Sequence, residues 1–273
     1  MRRWLAGFAG VALAGWTAAP ATALVILSGD GAGNTTAPPE DPGWRHVGHR
    51  ADGNKQSVVY LGAGWVLTAR HIGPGDVVLD GATRAWRPGS AQRLGNEDGS
   101  PADLVLFRLR EELPLSALPI RATPPVPGDP VLLLGRGRQR TAPTTWRGLR
   151  GFQLGTAGYL RWGTNVVERT GVTVPGPGTH TRGFLTTFSE AGATAHEAQA
   201  APGDSGGPVF VRTGLTWELA GLAHAAAGAA GQPPDVVLFG AQTFASDLSR
   251  YKPQIDALVS SATAPGAPGR VQR

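Results

Sequence analysis

Between Ser57 and Phe244 the apolar residues fall into short runs, each closed by glycine or proline turns. Residues 57–61, 64–69, 76–79 and 103–109 form one group; 131–134, 153–162, 184–188, 209–211, 217–223 and 236–244 form another. Short apolar runs bounded by turn residues read as strands. With no helical segments alternating between them, the chain is expected to be all-β. Residues 118–130 carry five prolines, a linker composition, and place a boundary between a first unit (24–122) and a second (123–259). Past the last strand, Pro253 suits the first turn of a helix, and Ile255, Leu258 and Val259 follow at helical spacing. Residues 260–273 are small, polar and rich in Pro and Gly, so a disordered tail is expected.

Met1-Arg2-Arg3 followed by an apolar stretch from Trp4 to Trp16 reads as a secretory signal peptide over residues 1–23. Ala21-Thr22-Ala23 fits the cleavage site and gives a mature start at Leu24. The apolar run is short and broken by glycine, so an uncleaved membrane anchor is the lesser reading. The paired arginines alone are weak grounds for twin-arginine export. A secreted or periplasmic location is therefore expected. The chain has no cysteine, so an exported form relies on packing without disulfides. Formal net charge is +5; without Arg2 and Arg3, 23 basic residues face 20 acidic ones, or +3. The basic residues are dispersed, as in Arg108-Leu109-Arg110 and Arg136-Gly137-Arg138, which argues against nucleic-acid binding. Neither a stable membrane association nor an oligomer is expected. In the polar leader, Asp30-Gly31-Ala32-Gly33-Asn34 matches part of a calcium loop, but the other ligands are missing and a turn-rich loop is the better reading.

Gly203-Asp204-Ser205-Gly206-Gly207-Pro208 sets one serine in a turn of glycines. Upstream, Leu67-Thr68-Ala69-Arg70-His71 offers a histidine after an apolar strand, and Ala102-Asp103-Leu104-Val105-Leu106 an aspartate opening another. His71 precedes Asp103 by 32 residues and Asp103 precedes Ser205 by 102. In this order and spacing the three segments resemble those of the chymotrypsin- and trypsin-like serine peptidases. The resemblance implies two packed six-stranded antiparallel β barrels with a short C-terminal helix. It implies Ser205 as nucleophile, His71 as general acid/base and Asp103 as the acid that orients it, acting on a protein or peptide. A serine hydroxyl is a weak nucleophile at neutral pH, and a histidine must take its proton during attack. The N–H groups of Gly203 and Ser205 would stabilise the oxyanion; glycine at 203 permits a backbone conformation that a side chain would hinder. Gly203-x-Ser205-x-Gly207 also satisfies the α/β-hydrolase elbow, but that fold needs an acid and then a histidine downstream. Only Glu218 and His224 follow in that order, six residues apart in one apolar run, so the elbow is discarded. A catalytically silent relative serving as a binding or adhesion module is the alternative from another class; it has no need of all three residues.

The same resemblance puts Gln199 at the base of the primary pocket, where glutamine, unlike aspartate, does not select basic side chains. It makes Leu219–Ala226 the strand that lines the pocket, with His224, Ala225 and Ala226 among the substrate-binding residues. Aligned by Gly221, His224 sits beside Asp103; slipped by one residue, it faces the pocket; a packed strand histidine remains a third reading. A small or medium uncharged substrate side chain is expected. His46, His49, His180 and His196 show no zinc-site spacing, and no metal or other cofactor is implied. Relatives often activate by pairing a new N-terminus with the aspartate before the nucleophile, here Asp204. Either the Leu24 amine released with the signal plays that part, or an internal donor, an Arg or Trp, satisfies Asp204.

Overall fold

A computed structural model describes residues 24–53, 55–176 and 178–261. The expected signal peptide, and residues 262–273 of the expected tail, lie outside the described residues; residues 260 and 261, placed in that tail, instead end the C-terminal helix. A two-residue strand, β1 (Val25–Ile26), comes first. A first body follows, built from β2 (Val47–Arg50), β3 (Ser57–Gly62), β4 (Trp65–Thr68), β5 (Val77–Leu79), β6 (Ala82–Arg84), β7 (Gln92–Gly95) and β8 (Pro101–Arg108). Its antiparallel sheet runs β6-β5-β2-β3-β4-β8-β7.

The second body holds β9 (Pro130–Gly135), β10 (Arg138–Trp146), β11 (Leu149–Ala157), β12 (Arg161–Val166), β13 (Arg169–Gly176), β14 (Thr179–Thr187), β15 (Ala198–Gln199), β16 (Pro208–Thr213), β17 (Thr216–Ala227), β18 (Val236–Leu238) and β19 (Gln242–Ser246). Its main sheet runs β12-β9-β16-β17-β19-β14-β13; β10-β11-β18 form a second sheet, and β1 pairs with β15. The helix α1 (Lys252–Ser261) closes the fold.

The expected all-β pair of bodies with one C-terminal helix is what the chain forms. The strand count differs from the expected six, because each main sheet has seven. In the first body the extra edge strand is β6, reached through a turn at Asp80-Gly81 where both residues have positive φ (51° and 81's 75°). Such an Asp-Gly turn matches the twist of the strands it joins, but three residues of β6 carry too little alternation to be read.

Alternation explains how the bodies dock. Val58 and Tyr60 of β3, Val66 of β4 and Phe107 of β8 point into the first body's own core. Their neighbours Val59, Leu61, Trp65, Leu67, Leu104 and Leu106 point the other way, against Leu132, Leu134, Trp162, Phe210, Leu219 and Leu222 of the second body. Strands buried on both faces read as unbroken apolar runs rather than alternating ones. The helix seals this shared core: Ile255 is buried in it, with Leu258 and Val259 packed at its margin. Tyr251, just before the helix, accepts the Arg182 N–H and donates to Asn96 Oδ1 at 2.7 Å, tying the two bodies together. In the proline-rich crossing, Leu118 still donates to Leu61 of the first body, whereas Arg121 donates to Leu219 of the second.

The partial calcium-loop match is a loop held by cations of the protein itself. Arg140 donates to the carbonyls of Ile26, Leu27 and Gly29, and the buried Arg161 to those of Gly31 and Ala32. No helix among the described residues is long and apolar enough to cross a membrane.

Candidate active site

His71 follows β4 and Asp103 lies in β8, the strand that pairs with β4 through Thr68 and Val105. Adjacent strands therefore bring the two residues together across 32 positions of sequence. The His71 N–H donates to Asp103 Oδ1 at 2.9 Å, and His71 Nδ1 lies 2.6 Å from Asp103 Oδ2. An ionised carboxylate only accepts, so Nδ1 carries the proton and Nε2 of the neutral ring is left as an acceptor. Burial pushes the Asp103 carboxyl up, but His224 and His71 beside it outweigh burial and hold it well below the usual carboxylate range. Asp103 is further anchored by its own N–H, which donates to Thr181 Oγ1 on β14 at 2.9 Å. Thr181 gave no sign of this in the sequence, because only the second body's sheet brings β14 against β8.

Ser205 sits in the loop between β15 and β16, and this loop leans on the first body. The Ser57 N–H donates to the Ser205 carbonyl at 3.1 Å. Within the loop, Asp204, Gly206 and Gly207 direct their N–H groups to the carbonyls of Ala201, Ala223 and Asp204. The N–H groups of Gly203 and Ser205 enter no hydrogen bond among the described residues, as an oxyanion site requires of its donors. Gly203 has φ +102°, and a Cβ there would come within 2.9 Å of Gly137 Cα, so the position admits only glycine without strain.

Asp204 points away from the serine into the protein and is 1% exposed. Its Oδ1 accepts the Gly137 N–H at 2.7 Å and its Oδ2 the Ala201 N–H at 2.8 Å, and the main-chain N–H groups of Leu24 and Arg136 lie near enough to favour its charged form. Burial nonetheless pushes its carboxyl up to about 7. The expected Arg or Trp side-chain donor is not among these partners; the donors are the main-chain N–H groups of Gly137 and Ala201. The Arg136-Gly137 turn after β9 forms the cradle, and a Cβ at Gly137 would lie 2.6 Å from Asp204 Cγ. A Gly-x-Gly pair closing an apolar strand was the only trace of this in the sequence.

Two adjoining recesses flank the serine. One is lined by Ser205, Ala200–Pro202 and Ala223–Ala226. The second, about 260 Å³, shares Ala226 with it and is closed by Gln199, Val236, Val237 and Ala241, with no charged side chain in its wall. Gln199 is fully buried; its Nε2 donates to the Ala200 carbonyl and its Oε1 has no partner among the described residues. Of the predicted pocket residues, Gln199 and Ala226 line the second recess, whereas His224 and Ala225 line the first, beside Ser205. The bulge in β17 between Ala223 and Ala225 turns His224 toward the first body, its Nδ1 3.5 Å from Asp103 Oδ2. The alignment by Gly221 is thus the one realised. His224 and Ala225 also line a recess with His71, Asp103 and Thr181, so the histidine pair and the serine loop share one wall.

A family model described as a trypsin-like peptidase domain matches residues 56–222. Among solved structures, mouse neuropsin, a serine protease expressed in the limbic system of the brain, is similar at a TM-score of 0.55 with 18% identity, covering 82% of this chain and 97% of its own. An inactive serine-to-alanine mutant of Rv3671c from M. tuberculosis H37Rv is similar at a TM-score of 0.48 with 16% identity, covering 85% of this chain and 99% of its own.

Proposed function

Because this chain belongs to the trypsin-like peptidase family, and is thus a peptidase acting on proteins or peptides, we propose that it is an exported serine endopeptidase. The observation that carries this reading is the 2.6 Å contact of His71 Nδ1 with Asp103 Oδ2, in a recess whose wall also lines the Ser205 loop. Asp103 fixes the tautomer, so Nε2 of His71 takes the Ser205 Oγ proton as Oγ attacks the substrate carbonyl. The oxyanion forms against the Gly203 and Ser205 N–H groups. Collapse of this intermediate breaks the peptide C–N bond, and the leaving amine takes the proton from His71. A water then gives its proton to Nε2 and attacks the acyl-enzyme; the acid leaves and Oγ recovers the proton. The uncharged recess ending at Gln199 favours a small or medium uncharged side chain before the scissile bond.

Export and maturation belong to the same reading. Cleavage after Ala23 frees an amine at Leu24, whose nitrogen lies near enough to the Asp204 carboxylate to favour its charged form. The new terminus would need no rearrangement to reach its partner. The test is labelling of the mature protein with a fluorophosphonate beside a Ser205→Ala control. Labelling of the wild type alone supports the reading. Failure of folded, correctly processed protein to label refutes it and leaves a silent binding module.

A further inference from the structure

His224 is 7% exposed; among the described residues its Nε2 has no hydrogen-bond partner, and its Nδ1 meets only Asp103 Oδ2, at 3.5 Å and without good hydrogen-bond geometry. An imidazole always carries at least one N–H or lone pair seeking a partner, and a buried polar group left unpaired requires an explanation. Asp103 Oδ2 lies 3.5 Å from His224 Nδ1, and the same oxygen lies 2.6 Å from His71 Nδ1. Ligand atoms of His71, Asp103 and His224 all lie within 4.8 Å of one another.

We propose that His71, Asp103 and His224 form a binding site for a divalent transition-metal ion of the Zn²⁺ class. Two imidazole nitrogens and one carboxylate oxygen are a donor set that zinc accepts, with a fourth position left for water. Bonds of 2.0–2.1 Å in a tetrahedron set neighbouring ligands about 3.4 Å apart. The His224–Asp103 separation of 3.5 Å fits this, and the His71–Asp103 contact of 2.6 Å has to open by less than about 1 Å. His71 is the partner open to solvent, its side chain being 36% exposed, and it gives the ion a way in.

The consequence for activity rests on the serine-peptidase reading; the binding itself does not. An ion on His71 Nδ1 displaces the proton held there, and the neutral ring then carries its proton on Nε2. That nitrogen can no longer accept the Ser205 Oγ proton. Occupancy therefore switches the nucleophile off reversibly, without touching the serine.

The test is calorimetric titration of ZnCl₂ into the mature Ser205→Ala protein in a non-chelating buffer, which needs no catalysis. One ion per chain is expected. Adding His224→Ala, or the near-isosteric Asp103→Asn in case the first disturbs folding, should weaken binding about tenfold or more. His49→Ala, in the same background, should leave it unchanged. No stoichiometric binding, or binding that neither ligand variant weakens, overturns the site. In the wild type, zinc should slow fluorophosphonate labelling and EDTA restore it; labelling indifferent to bound zinc overturns the switch. Absence of labelling without zinc counts against the serine-peptidase reading alone, since the titration still reads the metal.

Discussion

Asp204 offers a test in which the sign of a pH effect reports how the N-terminus is used. In a chain where Leu24 is still joined to a preceding residue, the carboxylate accepts main-chain N–H groups, and burial pushes it from 3.8 up to about 7. A carboxyl with a raised folded pKa binds its proton more tightly in the native than in the unfolded state. Its contribution to stability is therefore present below the unfolded value and lost as pH rises toward 7, opposite to a salt-bridged aspartate. At 1.36 kcal/mol per pH unit, the whole loss is on the order of 4 kcal/mol, of which about 2 kcal/mol falls between pH 5 and pH 7. In the chain that begins at Leu24, a protonated amine faces the same oxygens. An opposite charge at that range lowers a carboxyl by about 1–3 pH units, so most of the slope should vanish.

The assay is urea unfolding, followed by tryptophan fluorescence, of Ser205→Ala protein in two forms: one beginning at Leu24, one with two extra residues in front. Asp204→Asn in each form supplies a reference in which position 204 cannot ionise, so the difference removes every other titrating group. Equal slopes in the two forms would refute a role for the Leu24 amine. A flat difference in the extended form would refute the claim that burial dominates at Asp204.

Three further outcomes follow from the geometry. Asp103→Asn leaves His71 free to adopt the wrong tautomer, and the rate of fluorophosphonate labelling should fall about ten-thousand-fold; a rate within tenfold of wild type would contradict the assigned role. Gly137→Ala forces a methyl to 2.6 Å from Asp204 Cγ, and equilibrium unfolding should show a loss of about 1–3 kcal/mol. Ile255→Ala empties a helix position 1% exposed in the shared core, and the same measurement should show a loss of about 2–5 kcal/mol; a loss under 1 kcal/mol would mean that α1 does not seal that core.

The sequence by itself determined the fold class and singled out the three residues proposed to react. Runs such as 57–61 and 131–134 are apolar on both faces, and the turns around them admit little but strands. It did not reveal β10 or β13. β10 is largely exposed and carries Pro143, and β13 contains Gly171 and Pro175, so neither has the apolar pattern that marks a strand. They form because β11 and β14 supply the ladder partners. The runs at 153–162 and 236–244 read as single strands but break near Gly158 and Gly240, both at positive φ. Composition registers apolar content and is blind to where a chain must turn to meet its neighbours. Tertiary structure alone decided the rest of the site: Thr181 on Asp103, the Gly137 cradle and the Leu24 nitrogen at Asp204, and His224 turned by a bulge toward the aspartate. Each is a contact between segments remote in sequence, and only sheet register and the docking of two bodies bring such groups within bonding distance.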